Sequence, residues 1–308
     1  MIHRRCAALL SVVLAGWMAV LPGCLPWGDG QPGFEHIIGR PGHQPGAFHR
    51  PRGICYLPSE RQLFVVDWDG RIQRLTLRGK FLAHWMMPEV AKGKPETLCL
   101  TPDNTLLVTD THYSRVLEFA LDGRVLRSFG SYGRGPGQFI YPVGICIDDQ
   151  GHIYVSEYGE NDRVQKFDRE GKFLFEWGRF GSGPGEFQRP SGLALGPDGS
   201  LYVADSVNHR IQVFTQEGKL LRILGSQGRE PGQFIYPYDV TIGGGHLYVL
   251  EYGGQRVQKL TFDGQPLASF GRAGRTDGCF AAPWRLTWTP YGLFISDTDN
   301  GRVVKVTL

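Results

Sequence analysis

Six pairs of a carboxylate and an arginine are the residues of this chain whose types and spacing first suggest chemistry. In each pair Asp or Glu precedes Arg by four to six residues: Asp67/Arg71, Asp110/Arg115, Glu157/Arg163, Asp205/Arg210, Glu251/Arg256 and Asp297/Arg302. A carboxylate beside a guanidinium can take part in acid–base chemistry, or it can form an ion pair that holds a turn. A feature needed at every repetition is structural, so we expect surface ion pairs, each contributing about 1 kcal/mol or less.

Histidines, the other obvious source of chemistry, do not form a recognisable set along the chain. His152 and His246 lie in one kind of turn, and His112 and His209 lie in another kind, in repeats that are not neighbours. Their spacing defines no Ser-His-Asp or Cys-His arrangement. The sequence therefore predicts no catalytic residues, no metal site and no cofactor.

The spacing of the paired arginines defines the architecture that must position these residues. The arginines are 44, 48, 47, 46 and 46 residues apart, and residues 183–225 show four short apolar runs within one period. Turns rich in Gly, Asp, Asn and Ser separate these runs, which is typical of an antiparallel meander. Four strands per period correspond to one blade, so residues 34–308 are predicted to form an all-β, six-bladed β-propeller.

The repeated unit resembles the NHL repeat. Asp205 to Phe214 reads D-S-V-N-H-R-I-Q-V-F and contains the Asn208-His209-Arg210 fragment typical of that family. The pattern G-P-G-Q/E-F-x-x-P also recurs before the units, at Gly135–Pro142 and Gly183–Pro190. The resemblance implies an NHL-type propeller, and it says little about activity because one fold hosts unrelated functions.

The residues that follow the proline at the start of each first strand break the repeat. First strands line the central channel of a propeller, so these positions face its mouth. Two blades have the small pairs Val143-Gly144 and Ser191-Gly192, whereas the other blades carry Arg52, Glu96, Tyr238, Asp239, Trp284 and Arg285. Trp, Tyr and Arg often carry binding energy, so these residues predict a ligand site. The alternative is that large side chains merely fill the channel.

Loops that open on the same face extend this candidate site. The loops carry Trp68, His112, Tyr113, Tyr158, His209 and Tyr252. An aromatic and polar rim around a channel mouth suits a peptide, a glycan or a protein surface. We therefore expect a monomeric, non-catalytic binding or scaffold propeller.

Two families of propeller lyases provide the enzymatic alternative. The chain is similar to the peptidyl-hydroxyglycine amidating lyases, and that resemblance implies zinc-binding histidines directly after the strand-one proline. Those positions hold no histidine, and their residues are Arg52, Glu96, Val143, Ser191, Tyr238 and Trp284. Virginiamycin B lyase is the second family, and no residue set of this chain could be matched to its site. A lyase or hydrolase that uses the same channel mouth is the alternative function.

The first 33 residues are predicted to lie outside the propeller. Residues 1–23 have a basic start followed by an apolar run, which is typical of a signal peptide. Leu21-Pro22-Gly23-Cys24 resembles the bacterial lipobox, and this implies a lipid on Cys24 after removal of residues 1–23. Residues 24–33 are then a tether rich in Gly and Pro. We expect an exported protein of the cell envelope, anchored to a membrane.

The charge of the chain argues against a nucleic-acid partner. The sequence has 33 basic and 30 acidic residues, and residues 1–23 contain two arginines and no acid. The mature chain is therefore nearly neutral, which gives no electrostatic attraction to a polyanion.

The N-terminal end of the propeller is predicted to close the ring. Residues 34–39 resemble the blade-ending segments, such as Ser128-Phe129-Gly130, and the sixth unit ends after its third strand. A strand supplied by residues 34–39 would complete blade six and remove an exposed sheet edge.

Overall fold

A computed structural model describes residues 34–307 as a ring of six antiparallel sheets with four strands each. This architecture confirms the predicted all-β, six-bladed β-propeller. The predicted signal peptide at residues 1–23, Cys24 and the tether up to residue 33 lie outside the described residues. Within residues 34–307, no helix is long and apolar enough to span a membrane.

The strands of the first three blades follow one another from the channel outwards. Strand β1 (Phe34–Ile38) precedes blade one, which contains β2 (Ile54–Leu57), β3 (Gln62–Val66), β4 (Arg71–Thr76) and β5 (Phe81–Met86). Blade two contains β6 (Pro95–Leu100), β7 (Leu106–Asp110), β8 (Arg115–Phe119) and β9 (Val125–Phe129). Blade three contains β10 (Tyr141–Ile147), β11 (Ile153–Tyr158), β12 (Arg163–Phe167) and β13 (Phe173–Trp177).

The last three blades repeat this order. Blade four contains β14 (Pro190–Leu195), β15 (Leu201–Asp205), β16 (Arg210–Phe214) and β17 (Leu220–Leu224). Blade five contains β18 (Pro237–Gly243), β19 (His246–Glu251), β20 (Arg256–Leu260) and β21 (Pro266–Phe270). Blade six contains β22 (Pro283–Thr289), β23 (Gly292–Asp297) and β24 (Arg302–Val306), with β1 outermost. Single turns of 3₁₀ helix follow β7 and β23, at Thr111–Tyr113 and Thr298–Asn300.

The core lies between adjacent blades, and it explains the burial pattern of the strands. All five residues of β15 are buried, because sheets pack on both of its faces. The outer strand β17 alternates instead, burying Leu224 and exposing Leu221 and Ile223. Tyr202 of blade four and Val249 of blade five belong to one buried cluster. This packing fixes the first strand of every blade against the channel.

Strand β1 closes the ring, as residues 34–39 predicted. It pairs antiparallel with β24, with Ile38 opposite Val303. Ile38 is buried, and the ring of Phe34 packs on that of Phe280 with centroids 5.5 Å apart. The two ends of the propeller are thereby joined within one sheet.

The six carboxylate–arginine pairs form ion pairs, but they are not at the surface. Nitrogen–oxygen distances range from 2.5 Å in Arg256–Glu251 to 2.9 Å in Arg115–Asp110. The carboxylate side chains are at most 1% exposed. The expectation of surface pairs is wrong because the carboxylates are buried, and in blades one, three, four, five and six the arginine also donates to carbonyl oxygens of the loop before the blade.

Blade four shows how such a pair joins a turn to the loop between two blades. Arg210 donates to Asp205 and to the carbonyl oxygens of Gly183 and Glu186 in that loop. Asp205 in turn accepts the backbone N–H of Gln188 at 2.8 Å. Removing either partner would leave buried polar groups unpaired, which costs more than an exposed ion pair.

Candidate functional site

The inner strands β2, β6, β10, β14, β18 and β22 bring the predicted positions together around the channel, each strand beside the next. The glycines of blades three and four have a steric cause. A side chain at Gly144 would place its Cβ 2.0 Å from the Ser191 carbonyl oxygen, and one at Gly192 would lie 2.0 Å from Asp239 Oδ1. No larger residue fits at these two positions unless the neighbouring blade moves.

Glu96 joins three blades at the mouth. One of its oxygens accepts Arg52 Nη1, and the other accepts Trp284 Nε1 at 2.5 Å. The side chains of Arg52 and Glu96 are 8% and 5% exposed, so solvent screens this pair little. Arg52 also lies over the Trp284 ring, 4.5 Å from its centroid. Glu96 therefore fixes both the cation and the indole.

An aromatic group surrounds Trp284. The ring centroid of Tyr238 lies 4.5 Å from that of Trp284, and Tyr252 meets Trp284 edge-on at 5.5 Å. Tyr238 is buried, Trp284 is half-buried and Tyr252 is 40% exposed. Trp68 joins the group through Arg52, whose guanidinium lies 4.4 Å from the Trp68 ring centroid. We call Arg52, Glu96, Trp68, Tyr238, Tyr252 and Trp284 the mouth cluster.

Arg285 and Asp239 lie inside the channel and hold the blades together. Arg285 is 1% exposed, and its Nη1 donates to the Tyr238 carbonyl at 2.9 Å and to Ser191 Oγ at 3.0 Å. Asp239 accepts Arg285 Nη1 at 3.4 Å and the Leu286 backbone N–H at 2.9 Å. For these two residues the channel-filling alternative describes the geometry, and their polar atoms face protein.

Burial shifts the pKa of several groups in this region, most strongly those of Asp239 and Tyr238. Loss of solvent raises the pKa of Asp239 to about 6, against the opposing effects of Arg285 and of backbone N–H donors. Loss of solvent and the Glu96 charge raise the pKa of Tyr238 to about 12. The Tyr238 hydroxyl is therefore protonated at neutral pH.

The remaining predicted loop residues divide between the mouth and its surroundings. His112 is exposed as a whole residue, but partial loss of solvent around its ring lowers its pKa, with Glu96 opposing and Arg52 adding to this shift. Tyr158 is linked to the cluster through Arg189, which lies 4.8 Å from the Tyr158 ring centroid.

Tyr113 and His209 make their described contacts outside the mouth cluster. The Tyr113 hydroxyl accepts the Lys92 N–H at 3.1 Å. His209 is buried against Tyr236, with ring centroids 4.6 Å apart. Both contacts are made with the loops that precede strands β6 and β18.

Two arginines at the mouth were not predicted from the sequence. Arg50 and Arg189 directly precede the strand-one proline and have left-handed backbone, with φ of 54° and 56°. Such a conformation strains an L residue, so the surrounding structure must hold it. Arg50 lies over Trp68, and Arg189 donates to the Tyr238 hydroxyl at 3.2 Å. A sequence pattern could have pointed to them, because five of the six residues that precede this proline are basic or aromatic: Arg50, Lys94, Tyr141, Arg189 and Tyr236.

The ionisable groups around the mouth are paired with donors of the protein itself. Both oxygens of Glu96 already accept hydrogen bonds, as do both oxygens of Asp239. His112 Nδ1 accepts the Lys94 backbone N–H at 3.3 Å. The neutral His112 ring therefore carries its proton on Nε2, where it donates and cannot act as a base. These pairings hold the polar groups of the mouth in fixed positions.

A second group of side chains lies beside the mouth in blade one. His43, His49 and Asp69 place one ligand atom each within 4.8 Å of one another, a geometry that can hold a metal ion. The prediction that the histidines form no set does not hold for His43 and His49, which lie close together. Their proximity was not predicted because it depends on how the loop before blade one folds against the turn at Asp69.

The sequence of two blades matches a known repeat. Residues 139–167 and 187–214 match the NHL repeat, and each match spans the first three strands of a blade. The chain contains NHL repeats. No curated protein sequence matches the chain.

Solved structures share the propeller at low sequence identity. A gluconolactonase from Xanthomonas campestris is 16% identical with a TM-score of 0.65, covering 94% of this chain and 99% of its own. An inactive histidine-to-alanine variant of virginiamycin B lyase from Staphylococcus aureus, solved with quinupristin, is 17% identical with a TM-score of 0.58, covering 87% of both chains. An auxiliary nutrient binding protein from Bacteroides ovatus is 16% identical with a TM-score of 0.66, covering 88% and 72%. Their different activities leave only the fold in common.

Proposed function

We propose that the protein is a non-catalytic binding propeller of the cell envelope that recognises a peptide, a glycan or a protein partner at its channel mouth. The observation that carries the proposal is the mouth cluster itself. Its aromatic rings and the Arg52 guanidinium are positioned by contacts with one another, and Glu96 accepts hydrogen bonds from Arg52 and Trp284. Rigid aromatic and arginine side chains are the typical anchors of binding surfaces.

The charge around the mouth cluster favours a neutral or mildly acidic ligand. Four cations lie there beside three carboxylates, leaving one net positive charge: Arg50, Arg52, Lys94 and Arg189 with Glu96, Asp162 and Asp299. Three of these cations stack on the Trp68 ring within 5.0 Å of its centroid. A carboxylate of a peptide or an acidic sugar would complement this charge.

The location in the envelope is part of the same proposal. It is supported by the signal-peptide pattern of residues 1–23 and by the lipobox-like Leu21-Pro22-Gly23-Cys24. A lipid on Cys24 and the tether up to residue 33 would hold the propeller near a membrane. The mouth would then meet ligands of the envelope.

A lyase at the same mouth is the second candidate. Burial, together with the charges of Arg52 and Lys94, lowers the pKa of His112 although Glu96 opposes this shift. A neutral imidazole at the rim is the feature that favours an enzyme, and a propeller of similar fold is a virginiamycin B lyase. The Lys94 N–H bound to His112 Nδ1 weighs against this candidate.

Array binding combined with product analysis separates the two functions. The purified chain would be applied to glycan and peptide arrays. The ligand that binds most strongly would then be incubated with the protein, and its mass would be measured by mass spectrometry. We expect selective binding and an unchanged ligand mass. Incubation with quinupristin should likewise leave that compound intact. Cleavage of either compound, with loss of cleavage in His112→Ala, would replace the proposal by the lyase.

A further inference from the structure

The His43, His49 and Asp69 side chains form a compact group at the outer edge of the mouth. His43 Nδ1 lies 2.7 Å from Asp69 Oδ2, and His49 Nδ1 lies 2.7 Å from Asp69 Oδ1. The two imidazole centroids are 5.0 Å apart. The side chains are 69%, 40% and 34% exposed, so a cation from solvent can reach all three.

This group breaks the repeat at three positions in one blade. The residue after the second glycine of the inter-blade loop is His43, whereas the matching loops carry Arg134, Ser182, Arg229 and Arg275. The residue after the buried loop phenylalanine is His49, whereas the other blades with this loop carry Ile140, Gln188, Ile235 and Ala281. Asp69 lies in the shortest of the six turns between a paired carboxylate and its arginine. Propeller structure does not require any of the three, because the other blades fold without them.

The backbone beneath the group is fixed by several hydrogen bonds. Arg71 donates to the carbonyl of His43, and the Trp68 N–H donates to the carbonyl of His49 at 2.9 Å. Asp67 Oδ1 accepts the Asp69 N–H at 3.2 Å. These bonds hold the loop and the turn in register, so the three side chains are brought together before any ion binds. Such preorganisation is a requirement of a tight metal site.

We propose that His43, His49 and Asp69 bind a divalent transition-metal cation of the Zn²⁺ class. Two imidazole nitrogens and one carboxylate are a preferred donor set for such ions, whereas Ca²⁺ and Mg²⁺ prefer oxygen ligands. A tetrahedral Zn²⁺ with bonds of about 2.0–2.1 Å separates its donor atoms by roughly 3.3 Å. The two His–Asp distances of 2.7 Å and the 4.8 Å limit of the whole group bracket this spacing, so small side-chain rotations would bring the three donor atoms to it. Three protein ligands leave a coordination position open to water or to a ligand group.

The charge around the site permits a bound cation. Two cations are next to the site along the chain, and both are neutralised: Arg50 is paired with Asp299 at 2.9 Å, and Arg71 is paired with Asp67 at 2.8 Å. The site differs from the strand-one positions of the amidating lyases, which hold no histidine in this chain. The proposal is independent of ligand binding at the mouth cluster.

Cobalt titration tests the site directly. Co²⁺ would be added to the tag-free full chain and followed by visible absorption, with Zn²⁺ competition to show a shared site. We expect one Co²⁺ per chain, displaced by one Zn²⁺. Loss of a partner outside the metal's own ligands already costs about 10–100-fold in affinity, so His43→Ala, His49→Ala and Asp69→Asn should each weaken binding at least about tenfold.

The matched control is another His–Asp pair of the same propeller. His152 Nδ1 lies 3.0 Å from Asp148 Oδ2, and this pair is not part of the metal-competent group found in residues 34–307. His152→Ala should leave Co²⁺ affinity unchanged. The exposed His43 can be replaced with little effect on folding, and a thermal melt of each variant would verify that. Absence of stoichiometric Co²⁺ binding, or binding that all three substitutions leave unaltered, would overturn the proposal.

Discussion

Glu96 is the residue on which the geometry of the mouth depends most. It accepts hydrogen bonds from Arg52 of blade one and from Trp284 of blade six, although it belongs to blade two. Arg52 is buried and sits over two indole rings, so it cannot regain full solvation if Glu96 is lost. The Glu96 carboxylate is therefore a positioning group, and its removal should lower the free energy of unfolding.

Replacing Glu96 by leucine should destabilise the fold because it leaves a buried guanidinium without its counter-charge. We expect a loss of about 3 kcal/mol in the free energy of unfolding, measured by urea denaturation. The double variant Arg52→Met, Glu96→Leu should recover much of it. As a control, Glu60→Ala removes an exposed ion pair with Arg74 and should cost about 1 kcal/mol or less. An equal cost for Glu60→Ala and Glu96→Leu would contradict this role.

Asp239 should make stability depend on pH in an unusual direction. Its pKa of about 6 exceeds its usual value of 3.8, so between these values the folded state binds more protons than the unfolded state. The stability that Asp239 contributes is thus present below about pH 4 and is lost as pH rises through 6. Relative to Asp239→Asn, wild-type stability should fall by up to about 3 kcal/mol between pH 4 and 7. Urea denaturation of both proteins at several pH values measures this. A wild-type stability that rises relative to Asp239→Asn as pH increases would refute the prediction.

The sequence predicted which residues meet at the mouth more easily than which of them turn into the channel. Arg52, Tyr238 and Trp284 share one repeat position, so the ring geometry alone brings them together. The repeat does not reveal that Arg285 turns into the channel and pairs with Asp239, because those partners depend on side-chain contacts across blades. The left-handed Arg189 was missed for a similar reason, since its conformation is set by the structure around it.

Among the elements, β1 has the largest effect on closure. Its four paired positions complete blade six, and without it β24 would present an unpaired edge. The buried carboxylate–arginine pairs lie at the turn between the second and third strands of each blade. In blade four the arginine of the pair holds the inter-blade loop. The strand pattern predicted the closure because residues 34–39 repeat a blade-ending sequence. The burial of the pairs was not predictable from spacing, because it depends on how the loops fold.

Deleting residues 34–40 should destabilise the propeller by several kcal/mol. The deletion removes the buried side chain of Ile38 and leaves backbone groups of β24 without partners. Differential scanning calorimetry should show a lower melting temperature or no cooperative transition. Deletion of the tether residues 24–33 is the control and should leave melting unchanged. Melting of the strand deletion at the wild-type temperature would contradict the closure of the ring by β1.

At the scale of the whole molecule, the period of the sequence was sufficient to predict six blades. Four strands need nearly 46 residues, and residues 34–308 provide six such lengths. Contacts between loops carry no such period. Asp69 lies 26 residues after His43, and only the folded ring brings them together. For this reason the fold was predicted fully and the metal-competent group was not.

The proposed anchor concerns the molecule as a whole and its position at a membrane. If Cys24 carries acyl chains, Cys24→Ser should move the protein from the detergent phase to the aqueous phase, because acyl chains contribute about 0.8 kcal/mol per buried methylene. Detergent-phase partitioning of cell extracts would measure this. Unchanged partitioning of the variant would contradict lipid anchoring. A cysteine within the propeller, Cys55→Ser, serves as the control, since Cys55 is buried.

Calorimetric titration of the strongest array ligand into wild type and Trp284→Ala, with a thermal melt of each, tests the binding function most directly. Trp284 is half-buried and central in the mouth cluster, so the substitution should weaken binding by about 2 kcal/mol or more. It should lower the melting temperature less than Glu96→Leu does, because Glu96 keeps Arg52 as its partner. Phe180→Ala removes an exposed aromatic side chain outside the mouth cluster and should bind like wild type. A sharp fall in the melting temperature of Trp284→Ala with unchanged affinity would show that the mouth cluster is core packing and would contradict the proposed function.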